Sequence, residues 1–120
     1  MSEPTRPAGG FSVGHTALAG ATILSPSASL TFENCKEMRA ALETAASEHG
    51  HAVVLDCRSV SYMDSEALEM LVEMHEKLSA ARVSLRLTHL NEVCMDILTA
   101  SRLVHVLIVY GDLSQALRGA

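Results

Sequence analysis

The sequence predicts a single α/β domain, a mixed, mostly parallel sheet of about five strands with about four helices. Three observations carry that prediction. From residue 51 onward, strand-like and helix-like segments alternate, which implies parallel neighbours joined by right-handed crossovers. Val53-Val54-Leu55 is an unbroken apolar run, the pattern of a central strand covered on both faces. The 120 residues are 48% hydrophobic and 19% charged, enough for one core and too few for two.

The elements follow in order. Residues 1–10 hold Pro4, Pro7, Gly9 and Gly10 and no apolar h-region, so they read as a flexible lead-in rather than a signal peptide. The domain is expected over 11–120. Phe11 to Leu18 is a weak strand. Ala21 to Ser29 is a second, and Pro26, which donates no ladder hydrogen bond, places it at an edge or a bulge. Thr31 looks like a helix N-cap. Cys35, Met38, Leu42 and Ala45 follow at helical spacing, and Gly50 ends that helix. His51 to Cys57 is the central strand. A second helix runs from about Ser65 to Ala81, with Leu68, Leu71, Val72, His75 and Leu78 as its apolar stripe, widened by Ala67, Met70 and Met74. Val83, Leu85 and Leu87 alternate with Ser84, Arg86 and Thr88, the period of a half-buried strand. Asn91 to about Arg102 is a third helix with Val93, Ile97 and Leu98 inward. Val104 to Val109 is a last strand, and Asp112 caps a short helix over Leu113 to Arg118.

Composition narrows the function. The net charge of −5 argues against nucleic acid or an anionic membrane surface as partner. Two Phe, two Tyr and no Trp are too few for a base-stacking platform. The apolar run around Leu103 to Tyr110 is far too short for membrane insertion. Cys35, Cys57 and Cys94 are odd in number and widely spaced, so they read as small hydrophobes in a reducing, cytoplasmic setting. The six histidines share no ligand spacing, so no metal and no cofactor are expected. His49 and His51 flank Gly50 in an exposed turn, and His75 reads as a packed residue. Ser65 lacks the glycines of a Gly-x-Ser-x-Gly nucleophile turn, which argues against an enzyme.

The segment VVLDCRSVSYMDSEALEML, residues 53–71, carries the most information. A buried strand ends at Asp56, a short loop follows, and Asp64-Ser65 opens a helix. The carboxyl edge of a parallel sheet is where such folds place their sites. The unpaired N–H groups of a helix N-terminus favour anions, so a serine there can accept phosphate. Local sequence alone also fits a simple cap by Asp64 or Ser65.

This segment resembles the STAS domains of anti-sigma-factor antagonists. Leu55-Asp56 matches the family's strand end, Ser59 to Ser65 its loop and Met-Asp-Ser core, and Leu68 and Leu71 its helix core. Leu30, Phe32 and Asn34 are similar to its first-helix entry, and the order of elements agrees from about 11 to 117. The resemblance implies a STAS-like fold and a partner switch. The serine matching Ser65 is the phosphoacceptor, modified by a partner that is both serine kinase and anti-sigma factor. Asp56, Asp64 and Glu66 form its environment, and Tyr62, Met63, Glu66, Glu69 and Glu73 belong to the docking face. The unmodified form binds the partner and frees a sigma factor.

Two residues depart from the pattern. Glu66 and Ala67 stand where the family has Ser or Thr and then Gly. Glu66 adds a second carboxylate beside the acceptor and opposes a bound phosphate by like-charge repulsion. The runner-up is therefore a non-phosphorylated STAS subunit of a larger assembly, transporter-associated or stressosome-like. The acidic face of Glu66, Glu69, Glu73 and Glu76 reads either as a solvated face supported by a Glu73–Lys77 pair or as a docking surface for a basic partner. Nothing in the sequence sets the oligomeric state.

Overall fold

A computed structural model describes residues 10–48 and 50–119. Apart from Gly10, the expected flexible lead-in lies outside the described residues, and so does His49. Five strands, β1 (Val13–Leu18), β2 (Ala21–Pro26), β3 (Ala52–Asp56), β4 (Ser84–Thr88) and β5 (Ile108–Tyr110), form one sheet in the order β1-β2-β3-β4-β5. The β1–β2 pair is antiparallel, and the other three pairings are parallel. Four helices, α1 (Cys35–Ala46), α2 (Ser65–Ala80), α3 (Glu92–Ala100) and α4 (Leu113–Arg118), complete the chain. The mixed, mostly parallel sheet stands as expected.

Alternation along the strands builds two unequal cores. Leu24, Val53, Leu55, Leu85 and Leu87 face the main core, which α1, α2 and α3 complete through Met38, Leu42, Leu71, Met74, Cys94 and Leu98. Ile23 and Val54 face the other way, onto Ala116 of α4. All five residues of β3 are buried, as its unbroken apolar run requires. Each fully buried Leu contributes about 2 kcal/mol, against about 1 kcal/mol for a helix cap. The sheet and its helices therefore hold the fold, and the caps set where elements begin.

Several local expectations are corrected. Pro26 does not mark an edge, because β2 is second in the order. Its last β3 pair is Leu24↔Leu55, so Pro26 lies beyond that ladder and opposes only Val13 of β1. Thr31 is not the cap of α1. Its carbonyl accepts from the N–H groups of Asn34 and Cys35, a turn that delays the helix to Cys35 with Asn34 as N-cap. The helix ends at Ala46 rather than at Gly50. Gly50 serves a different need, since at φ +139° a Cβ there would stand 2.6 Å from the Gly20 carbonyl oxygen.

The inward face of α3 is Cys94 and Leu98, with Ile97 half-buried and Val93 51% exposed. Residues Leu103–His105 form a 3-10 turn rather than the start of the last strand, which begins at Ile108. The alternation of β4 holds from Ser84 to Leu87 and breaks at buried Thr88, whose carbonyl accepts from the Cys57 N–H at 2.9 Å. The closing helix and its Asp112 cap sit where the sequence places them.

Candidate functional site

The loop from β3 to α2 is fixed by its neighbours rather than by its own regularity. Val60 and Met63 anchor it in the core. Leu30 and Met63 form a parallel bridge, in which the Leu30 N–H donates to the Tyr62 carbonyl at 3.2 Å and the Asp64 N–H to the Leu30 carbonyl at 3.1 Å. The Ser29 hydroxyl accepts from the Ser61 and Tyr62 N–H groups at 3.2 and 3.1 Å. From the other side, Asn91 Nδ2 donates to the Ser61 carbonyl at 3.1 Å. The chain entering α2 is thus stitched to the β2–α1 loop and to the start of α3.

Asp64 takes the whole capping task. Its Oδ1 accepts from the Ala67 N–H at 2.9 Å, and its Oδ2 accepts from the Phe32 N–H at 2.8 Å. Ser65 is therefore the first helical residue, not the cap. It is exposed, and among the described residues its hydroxyl makes no hydrogen bond. Ala67, at the family's glycine position, is fully buried, so the fold accommodates a methyl there. Glu66 is exposed. Its field is felt locally: burial first, then the charges of Asp64 and Glu66, push the nearby Cys35 thiol above its ordinary pKa, with Arg39 opposing.

Asp56 ends β3 and is 9% exposed. Its Oδ1 accepts from the Arg58 N–H at 3.2 Å and lies 3.1 Å from His89 Nδ1, while Arg58 Nη2 stands 3.7 Å from its Oδ2. The carboxylate thus ties its own loop to the β4–α3 turn. Sequence reasoning missed Arg58 and His89. Asp56 is a residue type that accepts from the backbone N–H two residues on, here that of Arg58, but nothing local marks His89, which reaches the site through a long-range strand pairing. Cys57, the next residue, is buried, and desolvation pushes its thiol far above the ordinary value.

The expected docking residues separate. Tyr62 is 48% exposed and Phe32, tied to Asp64 through its N–H, is 63% exposed. Met63 is 3% exposed, because its side chain fills the core under the Leu30 bridge, so it presents no surface to a partner. Glu66 and Glu69 are exposed and make no ion pair among the described residues. Glu73 does not pair with Lys77. It accepts from Arg39 Nη2 at 2.6 Å, and Lys77 donates to Glu43 at 2.7 Å. Both cross to α1, which packs alongside α2 and brings opposite charges nearer than the next turn of the same helix does.

Among the described residues, no group of three or more His, Cys, Asp or Glu is placed to hold a metal. No described helix is long and apolar enough to cross a membrane.

Comparison with known proteins agrees with this fold. The family model of the STAS domain matches residues 15–116. An anti-sigma factor antagonist from Mycobacterium paratuberculosis superposes with a TM-score of 0.82 at 16% identity, covering 96% of this chain and 97% of that one. An anti-sigma-factor antagonist (STAS) domain protein from Planctomyces limnophilus gives 0.78 at 19% identity, covering 89% and 96%. A sulfate transporter family protein from Wolinella succinogenes gives 0.74 at 18% identity, covering 86% of each chain. At such identities the likeness establishes the fold. No curated protein matches the sequence. The family match spans most of the chain, and the chain belongs to the STAS domain family.

Proposed function

We propose that residues 11–120 form a regulatory docking module of the anti-sigma-factor-antagonist kind, a binder and not an enzyme, acting in the cytoplasm on transcription through partner switching. Ser65 is the phosphoacceptor, and the partner is a serine kinase that is also an anti-sigma factor. The observation that carries this reading is the exposed Ser65 hydroxyl, without a hydrogen bond, on the first turn of a helix whose cap Asp64 already supplies. Serine placed there for capping alone would have its oxygen engaged. The N–H groups of that turn not held by Asp64 can donate to the new anion, and the helix dipole favours it. Phosphate adds roughly −1.5 to −2 charges and three strongly hydrated oxygens beside Asp64 and Glu66, so the modified edge no longer enters the pocket that accepts the unmodified one. Tyr62, Glu66 and Glu69 supply the exposed part of the docking face, with Glu73 held against Arg39.

Intact-mass spectrometry of protein isolated from its own cells tests the switch. A gain of one phosphate mapped to Ser65 is the expected result. Mixing with authentic serine-kinase anti-sigma partners gives the binding arm, and a failure of both binding and ATP-dependent labelling overturns the reading. A second reading is favoured by Glu66, whose carboxylate opposes a phosphate at Ser65. In it the domain is a non-phosphorylated STAS subunit of a larger assembly, transporter-associated or stressosome-like. Full biological activity of Ser65→Ala selects that second reading.

A further inference from the structure

The far end of α2 carries a feature that the Ser65 edge does not use. A hollow of about 210 Å³ is lined by His51, His75, Ser79, Arg82 and Ser84 over an aliphatic floor that includes Leu85 and Ile108. Although the chain has a net charge of −5, no Asp or Glu lies among the described residues of this lining. Its polar groups are underused. His75 Nδ1 is buried without a hydrogen-bond partner, so it is not itself open to the hollow. Among the described residues the side chains of His51 and Arg82 make no hydrogen bond or ion pair. Ser84 Oγ accepts from Arg86 Nε at 3.1 Å, which leaves its proton free to donate.

Arg82 sits at φ +64°, where α2 ends with its N–H on the Ser79 carbonyl and the Val83 N–H on the Leu78 carbonyl. Gly or Asn takes that left-handed position without strain. This chain puts a guanidinium there instead. The negative end of the helix dipole opposes an anion, but the Leu78 and Ser79 carbonyls are already occupied by those N–H groups.

We propose that this hollow binds a small phosphate monoester. The Arg82 guanidinium presents a forked pair of donors to two phosphate oxygens. The Ser79 and Ser84 hydroxyls and the His51 imidazole supply further donors, and the aliphatic floor receives the carbon part of the ester. Along α2 the site's His75 and Ser79 lie about 15 and 21 Å from Ser65, so it does not rest on phosphorylation of that serine.

The test is NMR of the whole chain at constant ionic strength, following the ring C–H signals of His51 and His75. Inorganic phosphate and phenyl phosphate are the probes, and sodium chloride is the control. Saturable shifts at both rings are expected, with phenyl phosphate binding more tightly than phosphate because of the apolar floor. Arg82→Asn, which suits the left-handed backbone, is expected to weaken binding about tenfold without lowering the melting temperature, while Ser65→Ala leaves binding unchanged. Shifts that chloride reproduces, shifts that do not saturate, equal binding of the two probes, or undiminished binding by Arg82→Asn overturn the proposal.

Discussion

The two ends of α2 make an instructive pair. The N-terminal end carries Asp64 and Glu66, and the C-terminal end carries Lys77 and, just beyond, Arg82. Both ends therefore follow the helix dipole, which favours anions at the start and cations at the finish. Charge sign alone is thus a weak functional signal here. What separates the ends is which groups are already engaged. At the start Asp64 is fully committed, with both oxygens on backbone N–H groups, and the neutral hydroxyl of Ser65 is left over beside the unpaired Glu66. At the finish Lys77 is engaged by Glu43, and the Arg82 guanidinium is left over in a hollow whose described lining holds no carboxylate. Leftover polar capacity, rather than charge, marks both candidate sites.

The sharpest way to break this contrast is to exchange the roles of Asp64 and Ser65. Asp64→Ala removes a cap and the tie to Phe32, and is expected to cost about 2 kcal/mol in urea unfolding. Ser65→Ala removes a hydroxyl with no partner and is expected to stay within about 0.5 kcal/mol of the parent. Equal losses would show that Ser65 shares the structural task, and the phosphoacceptor reading would lose its support.

A smaller effect tests the cross-helix pairs. Arg39→Ala releases Glu73 from its 2.6 Å contact on a mostly exposed surface, and is expected to cost under about 1 kcal/mol, less still at high salt. A salt-independent loss of 2 kcal/mol or more would mean that the pair is buried in solution.

The smallest effect is on acid stability. Hydrogen bonding to Lys77 holds the Glu43 carboxyl below its ordinary value of 4.5, and hydrogen bonding to His15 does the same for Glu48. A carboxyl depressed in the folded state stabilises at pH values above its unfolded pKa, and that contribution disappears as pH falls through the folded value. Stability should therefore drop below about pH 4.5, and Lys77→Met should flatten part of that drop. An unchanged pH profile in Lys77→Met would remove the Lys77–Glu43 pair from the account.

Much of the molecule was legible locally. Asp112 and the helix it caps, the fully buried β3 run and the start of α2 at Ser65 each follow from residues within one or two turns of one another, where capping geometry and side-chain periodicity act directly. The corrected points share the opposite property. Pro26 reads as an edge signal until the register with β3 shows the ladder ending before it. Thr31 has a cap's chemistry, but its carbonyl closes a turn first. Glu73 and Lys77 have helix-pair spacing, yet α1 offers each a nearer partner.

The sequence by itself determined the α/β alternation, the central strand, the helix that opens at Ser65 and the family resemblance of residues 53–71. The first three rest on periodicity, capping and composition, and the resemblance on a run of matching residues; all are properties of neighbouring residues. Tertiary structure alone decided that Ser65 is uncovered while Met63 is buried, that Asp56 answers to Arg58 and His89, and that His51, His75 and Arg82 meet at one hollow. Exposure and convergence depend on which distant segments pack together, and packing distances are not written in local spacing.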